Sequence, residues 1–343
     1  MSYLRRDPPA FVFLVHPRDM PDLYNAPGAS LISQYSTDED EFREKMLTLP
    51  PTFGGEITFG FDPIRGETLV VFSMPEKIMF SAGREQIETA VAIAAARGTS
   101  VIGLGALTAP ATRGGLTLVP KLPRGVTVTT GNAFTAAVAR RNVVDASEAL
   151  GLGPDAVVAI VGCTGSVGVA ASRLLDLAGH RLILIGRSVT RVHKELADLV
   201  PRATVSGRVE DAAAADVLLL VTGDPTARIP AELPKPGAVV LDLAHPVNIE
   251  QSQYPAFARR DVQVVQGGLL NIPGYHSVLK LRLPDEHSAL ACLTETYLFA
   301  KAGITEHSVG QATVPLALEL EEIAARYGVR TRPLGLRAAA PAA

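Results

Sequence analysis

The sequence is poor in cysteine: its 343 residues include only Cys163 and Cys292. This excludes a disulfide-stabilised scaffold and suits a reducing compartment, so we expect a cytoplasmic protein. No apolar run approaches the ~20 residues that a membrane-spanning helix requires, and we expect no integral membrane association. The net charge of -3 and the lack of a long basic run argue against a nucleic-acid partner.

Familiar catalytic patterns are also missing. The histidines are scattered, and neither a His-x-x-x-His nor a Cys-x-x-Cys pair occurs, so we expect no metal site. There is no Gly-x-Ser-x-Gly nucleophile elbow. We also expect that the chain does not use the Tyr-x-x-x-Lys acid pair of short-chain dehydrogenases.

A glycine-rich turn is the most informative motif that is present. It has the spacing G-x-x-G-x-x-G and stands between an apolar run, Val157 to Val161, and a helical stretch, Val169 to Leu175. Strand, glycine turn and helix N-terminus together form a cradle for a pyrophosphate. The alternative is a purely structural tight turn. The predicted nucleotide-binding residues are Gly162, Thr164, Gly165, Ser166, Val167 and Gly168.

The end of the next strand selects the nucleotide. Leu182 to Ile185 is followed by Gly186, Arg187 and Ser188 rather than by Asp or Glu. A guanidinium and a hydroxyl suit the 2′-phosphate of NADPH, since arginine binds phosphate oxygens bidentately. We therefore predict NADPH as the cofactor. The alternative for Arg187 is a solvated surface cation.

Strands alternate with helices along the chain, which predicts an α/β fold. We expect an N-terminal α/β substrate domain (1–132), a linking helix (133–154), a Rossmann-type doubly wound NADPH-binding domain (155–275), C-terminal helices (276–332) and a disordered tail (333–343). The further predicted strands are Phe11–Val15, Glu56–Phe61, Thr68–Ser73, Val101–Leu104, Val126–Thr130, Ala203–Val205, Val217–Val221, Val239–Leu241 and Val262–Val265. The predicted helices are Glu39–Leu47, Arg84–Arg97, Ala133–Leu150, Asp211–Ala215 and Pro315–Tyr327.

Cys292 lies on a further predicted helix, which Asp285 caps and which ends near Gly303. Cys292, Glu295 and Phe299 share one face of it at helical spacing. A thiolate at Cys292 can attack a thioester, with Glu295 handling a proton or orienting the thiol. The alternative is a buried structural cysteine. Cys163, inside the glycine turn, is interpreted as a small packing residue.

The loop Thr129-Thr130-Gly131-Asn132 precedes the long alanine-rich helix. Its hydroxyl and amide groups can bind a cofactor amide or an oxyanion, which makes Thr130 and Asn132 candidate cofactor-binding residues. The alternative is an ordinary helix start, with Thr130 or Asn132 as the cap.

Taken together, these motifs resemble those of the long-chain acyl-[acyl-carrier-protein] reductases, best known from cyanobacteria, over roughly residues 68 to 330. The segments that carry the resemblance are Leu104–Thr108, Thr129–Asn132, Gly162–Gly168, Leu241-Asp242 with Pro246 and Asn248, Gly267-Gly268, and Ala291–Glu295, similar to the family's A-C-x-x-E helix. The first sixty residues and the segment Leu269–Pro273 differ from the family.

The resemblance implies NADPH-dependent reduction of a fatty acyl thioester to a fatty aldehyde through a cysteine acyl-enzyme. Cys292 falls on the family's acyl-accepting cysteine, and the C-terminal helices would carry it to the cleft between the domains. An acyl carrier protein is the implied acyl donor, with coenzyme A as another carrier and an aldehyde-using enzyme downstream. The alternatives are an NADP-dependent dehydrogenase of a small polar substrate, similar to shikimate dehydrogenases, and a non-catalytic NADPH-binding sensor.

Overall fold

The computed structural model describes residues 7–60, 62–224 and 228–337. These residues group into two compact units. Unit 1 comprises Met1–Gly131, Asn271–Gly310 and Ile323–Arg330, and unit 2 comprises Asn132–Leu270, Gln311–Glu322 and Thr331–Ala343.

The chain up to Gly131 belongs to unit 1 and alternates between strands and helices. In chain order its elements are β1 (Phe11–Val15), α1 (Met20–Tyr24), α2 (Ala29–Gln34), α3 (Glu39–Leu47), β2 (Thr52–Phe59), β3 (Asp62–Val70), α4 (Pro75–Ile78), α5 (Ser81–Ala96), β4 (Val101–Leu104), α6 (Thr108–Ala111) and β5 (Thr127–Thr129).

The middle of the chain belongs to unit 2 and begins with a long helix. Its elements are α7 (Asn132–Ala149), β6 (Val157–Val161), α8 (Ser166–Leu177), β7 (Arg181–Ile185), α9 (Val189–Glu195), β8 (Thr204–Ser206), β9 (Val217–Leu220), β10 (Val239–Asp242), α10 (Tyr254–Ala258) and β11 (Gln263–Gln266). A 3-10 helix, Val209–Ala214, precedes β9, where a short helix was predicted over Asp211–Ala215.

The last part of the chain holds short strands and two helices. They are β12 (Leu269–Asn271), β13 (Tyr275–Ser277), β14 (Ser288–Leu290), α11 (Ala291–Ala302), α12 (Val314–Arg326) and β15 (Arg330–Thr331). Helix α11 ends as predicted at Gly303, whose φ of 67° suits glycine.

The unit 1 sheet is mixed and runs in the order β13-β2-β3-β1-β4-β5. Strands β3, β1, β4 and β5 are parallel, while β13 and β2 add antiparallel pairings at one edge. Helix α5 packs on one face through Ile87, Ala90 and Ala94. Helix α11 packs against β1, β3 and β4, and a Cβ added at Gly103 would lie 2.0 Å from Thr296 Oγ1.

The unit 2 sheet is parallel throughout its described pairings and runs β11-β10-β9-β6-β7-β8. When the six strands are numbered 1 to 6 in chain order, from β6 to β11, and the sheet is read from its β8 edge, the order is 3-2-1-4-5-6. This is the strand order of the Rossmann fold. Strand β6 is apolar and almost wholly buried, as expected for a strand covered on both faces. The α/β prediction with a Rossmann-type sheet is confirmed.

The structure corrects the predicted helix cap at Asp285 and describes only part of the tail that was predicted to be disordered. Asp285 does not cap a helix: it accepts hydrogen bonds from His287 and Ser288, and α11 begins after β14, with Leu290 at its N-cap. Of the tail predicted to be disordered, Arg337 exchanges two backbone hydrogen bonds with the Gln263 side chain. Residues 338–343 and Phe61, the predicted end of one strand, lie outside the described residues.

Candidate active site

The glycine motif forms the turn between β6 and α8 in unit 2. The N–H groups of Gly162 and Cys163 both donate to Ile185 O, which ties the turn to β7. Gly165 is the N-cap of α8, and Ser166, Val167 and Gly168 form the first helical turn. Because the first amides of a helix have no acceptor within it, this turn can bind an anion.

The three glycines of the motif have different surroundings. A Cβ at Gly162 would lie 2.9 Å from the Thr222 backbone, and one at Gly168 would lie 2.3 Å from Gly162 O. At Gly165 the nearest atom would be Gly162 O, at 3.3 Å. Gly162 and Gly168 are thus required by packing, whereas a Cβ at Gly165 would make one tight contact that a shift of a few tenths of an ångström relieves. A glycine turn of this kind fits a dinucleotide pyrophosphate.

The predicted residues Arg187 and Ser188 stand where α9 begins. The Arg187 side chain is 90% exposed and pairs with Asp224 at 3.1 Å. Ser188 is the N-cap of α9, and its Oγ accepts the Arg191 N–H. Arg191, which the sequence analysis missed, also reaches back and donates from Nη2 to Thr164 O at 3.1 Å. The Arg191 guanidinium therefore contacts the glycine turn, whereas that of Arg187 pairs with Asp224.

Cys163 is fully buried and packs 3.4 Å from the position of a Cβ at Gly186. Burial raises the pKa of its thiol to about 12. This agrees with the interpretation of Cys163 as a packing residue.

Elsewhere in the unit, Asp242 accepts hydrogen bonds from the amides of Ala244, Asn248 and Ile249, and burial raises its pKa to about 6.

Cys292 lies in unit 1, in the first turn of the twelve-residue helix α11. The loop before α7 packs directly on it: a Cβ at Gly131 would lie 2.3 Å from Cys292 Cβ. Gly131 also has φ of +73°, a conformation that side chains disfavour. The structure therefore brings together two of the segments on which the resemblance rests, Thr129–Asn132 and Ala291–Glu295, and only glycine fits at their contact.

The electrostatic surroundings of the Cys292 thiol act in both directions. Burial raises its pKa to about 11, and the Glu295 carboxylate adds to this increase. Hydrogen bonding from the backbones of Leu293, Ala106 and Cys292 itself acts the other way and lowers the pKa. A helix N-terminus acts in the same direction, because its dipole favours negative charge.

Glu295 is fully buried and accepts a short hydrogen bond from Thr129 Oγ1. The same hydroxyl oxygen accepts the Gly131 N–H at 3.1 Å. Glu295 therefore orders the loop that packs on Cys292. The sequence analysis chose Thr130 and Asn132 in this loop; in the structure, Thr130 N–H donates to Ser308 O at 2.9 Å, and Asn132 begins α7 in unit 2.

A cavity of about 210 Å³ lies in unit 1 beside β13 and β14. Three leucines and Tyr275 give it apolar surface, and charged side chains line it as well; the leucines are Leu279, Leu281 and Leu283, and the charged residues are Lys280, Arg282, Asp285 and Glu286. Tyr275 also interacts electrostatically with Cys292, and burial raises its pKa to about 12. Tyr275 thus presents a protonated hydroxyl at neutral pH and is a candidate site residue that the sequence analysis did not identify.

The expectation about Tyr-x-x-x-Lys pairs needs a correction, because Tyr297 and Lys301 have this spacing. Both side chains bind Asp62: Tyr297 Oη donates at 2.9 Å, and Lys301 Nζ lies 2.6 Å away. Burial and the neighbouring carboxylate raise the pKa of Tyr297. The pair lies in unit 1 and its tyrosine is held protonated by Asp62, which is unlike an activated acid–base pair.

The described residues contain no group of three or more His, Cys, Asp or Glu side chains that could hold a metal ion. Among the helices that the structure describes, none is both long and apolar enough to cross a bilayer.

No family model matches the chain. Over 247 residues the chain is 28% identical to the aminotransferase PigE of Serratia sp. (strain ATCC 39006). The match covers 69% of this chain but spans only 28% of the length of that protein.

Solved structures show weak likenesses. The L-tryptophan dehydrogenase of Nostoc punctiforme is 13% identical, with a TM-score of 0.43, over 93% of this chain and 80% of that one. The yhdH oxidoreductase of Salmonella enterica, in complex with NADP, is 21% identical with a TM-score of 0.31, over 39% of this chain and 43% of that one. Likenesses at this level leave the reaction of this chain open.

Proposed function

We propose that the protein is an NADPH-dependent oxidoreductase that reduces a fatty acyl thioester to an aldehyde through an acyl-cysteine at Cys292. The observation that carries the proposal is the contact between Gly131 and Cys292, since a nucleophile motif and a hydrogen-bonding loop meet where only glycine fits. Cys292 lies at a helix N-terminus, where the helix dipole and backbone hydrogen bonding favour a thiolate and partly offset the rise in pKa that burial causes.

NADPH would be held in unit 2 by the glycine turn and by the two arginines beside it. The first-turn amides of α8 suit the pyrophosphate, and Arg187, Ser188 and Arg191 suit the 2′-phosphate. When bound, this cofactor supplies a hydride, which is the pair of electrons that the reduction of the acyl carbon requires.

The residues of unit 1 supply the acyl-transfer chemistry. The Cys292 sulfur forms a bond to the carbonyl carbon, and the bond from that carbon to the carrier sulfur breaks. The carrier leaves as a thiol after taking up a proton. Glu295, buried and bound to Thr129, keeps the loop on the cysteine and is the nearest described carboxylate acting on the thiol. The net reaction consumes acyl thioester, NADPH and a proton and yields aldehyde, NADP+ and free carrier thiol.

The cavity beside Tyr275 is the proposed site of the acyl chain. Its leucine side chains offer apolar surface, and its volume of about 210 Å³ is modest for a long acyl chain. We therefore expect acyl groups of about eight carbons to react faster than those of about sixteen. The carrier, an acyl carrier protein or coenzyme A, is the other variable of the assay.

The decisive experiment separates acylation from reduction. Protein incubated with octanoyl and palmitoyl thioesters of both carriers, without NADPH, should gain one acyl mass on the peptide that contains Cys292. Addition of NADPH should convert this adduct to aldehyde, which also tests whether nucleotide and acyl-cysteine meet. Cys292→Ala should lose adduct and aldehyde but still bind NADPH, while Cys163→Ala should form the adduct normally.

Two results would redirect the proposal. Aldehyde formation by Cys292→Ala near the wild-type rate would replace the covalent route by direct hydride transfer to the thioester. NADPH binding without turnover of any thioester would favour a dehydrogenase of a small polar substrate or a nucleotide sensor.

A further inference from the structure

The turn that follows β4 has a strained backbone. Ala106 has φ of +48°, in the left-handed region that is unfavourable for a non-glycine residue. The preceding residue is equally constrained, because a Cβ at Gly105 would lie 2.4 Å from Leu14 O. Such a conformation persists only where the surrounding structure enforces it.

Hydrogen bonds on both sides of Ala106 enforce the turn. Gly105 N–H donates to Leu14 O at 3.0 Å, and Thr108 Oγ1 donates to Gly105 O at 2.7 Å. Leu107 N–H donates to the Nε2 atom of His16 at 3.3 Å. His16 is therefore the side chain that holds the far end of the turn.

The partners of His16 determine its tautomer. Its Nδ1 lies 2.9 Å from Pro17 O, a pure acceptor, so Nδ1 carries the proton and Nε2 is free to accept. The imidazole is only 6% exposed. Burial keeps it neutral and lowers its pKa to about 4, with Asp22 raising and Arg18 lowering that value by smaller amounts.

Between these two anchors lies Ala106, and hydrogen bonding from its backbone lowers the pKa of the Cys292 thiol. We propose that neutral His16 is a positioning residue: by accepting the Leu107 N–H it holds the Gly105–Leu107 turn so that the Ala106 amide stabilises the Cys292 thiolate. Its importance for turnover rests on the proposed function, whereas its effect on the thiol does not.

The test measures the thiol itself, without acyl thioester or NADPH. Alkylation of Cys292 by iodoacetamide is followed from pH 7 to 11, with mass spectrometry of the Cys292 peptide to exclude Cys163. The matched variants are His16→Gln and His16→Asn, which carry the same amide, but only the longer side chain reaches the Leu107 N–H. Glu295 and Tyr275, the other ionisable groups that act on the thiol, are unchanged in both.

We expect His16→Asn to raise the apparent thiol pKa by about one unit and His16→Gln to stay near wild type. At pH 8 the alkylation of His16→Asn should be about threefold slower, because the higher intrinsic nucleophilicity of a more basic thiolate offsets part of the loss. The same thiol pKa in all three proteins would overturn the positioning role. A shifted profile in a protein that forms no acyl adduct would support the positioning role and reject the proposed function.

Discussion

The two units use glycine next to a helix N-terminus for opposite purposes. In unit 2, Gly165 keeps side-chain atoms away from the first turn of α8, and the amides there can face a ligand. In unit 1, the space at Gly131 is filled by Cys292, on the first turn of α11. The comparison shows that a glycine beside a helix N-terminus can keep a binding surface clear in one unit, while in the other it allows close packing of a cysteine side chain.

The sharpest way to break this comparison is to add a methyl group in unit 1. Gly131→Ala should destabilise unit 1 by about 4 kcal/mol, because it combines a left-handed φ with a steric clash at Cys292. Gly125→Ala is the matched control: its φ is +83° but nothing lies within 4 Å of the added Cβ, so about 1 kcal/mol is expected. Urea unfolding of both variants checks this, and equal losses would show that the contact with Cys292 costs nothing.

The buried imidazole of His16 makes the stability of unit 1 dependent on pH. The pKa of His16 is about 4 in the folded protein against 6.5 for an ordinary histidine, so the unfolded chain takes up the proton at higher pH. Neutral His16 makes its full contribution to the free energy of unfolding above pH 6.5. As the pH falls from 6.5 toward 4, protonation of the unfolded chain lowers that free energy, by about 3 kcal/mol in total. The free energy of unfolding of His16→Gln should fall less over this range than that of the wild type. Parallel curves would contradict the assignment.

In unit 2, the matching change should affect binding rather than folding. Gly165→Ala should weaken NADPH binding about tenfold, or about 1.4 kcal/mol, because the methyl group enters the proposed pyrophosphate site. Its stability should fall less than that of Gly168→Ala, since the nearest atom to the new Cβ would be 3.3 Å away, a tight contact that a small shift relieves. Isothermal titration with NADPH, together with urea unfolding, measures both. Gly168→Ala is the contrast, because its Cβ would lie 2.3 Å from Gly162 O and should destabilise the turn.

The smallest expected effect concerns the choice of nucleotide. Wild type should bind NADPH at least tenfold more tightly than NADH, and Arg187→Ala should reduce that ratio about fivefold, or by about 1 kcal/mol. The effect is modest because Arg187 is exposed and already paired with Asp224. The same affinity ratio measured for Arg191→Ala, which also loses the contact with Thr164 O, shows which of the two guanidinium groups contributes more to the preference for NADPH. Equal affinities of the wild type for both nucleotides would refute the NADPH assignment.

The elements that sequence reasoning located well are those whose pattern is local. Strands β1, β4 and β6 and helix α3 have the predicted bounds, because continuous apolar runs and helical spacing are properties of neighbouring residues. The start of α11 was missed, since β14 is a three-residue strand that no periodicity reveals. Asp285 was predicted to cap this helix because aspartate is a common N-cap residue. In the structure it instead accepts hydrogen bonds from His287 and Ser288, at the start of β14.

The sequence by itself determined the α/β alternation, the glycine turn and the candidate nucleophile, since each depends on residues that are close together in the chain. The tertiary structure alone brought Thr129 to Glu295, Gly131 to Cys292, and His16 to the turn at Leu107. These contacts join segments that are 91 to 166 residues apart in the hydrogen-bonded pairs. Contacts across such separations arise from strand order in the sheet, which places distant loops side by side and which no local pattern encodes.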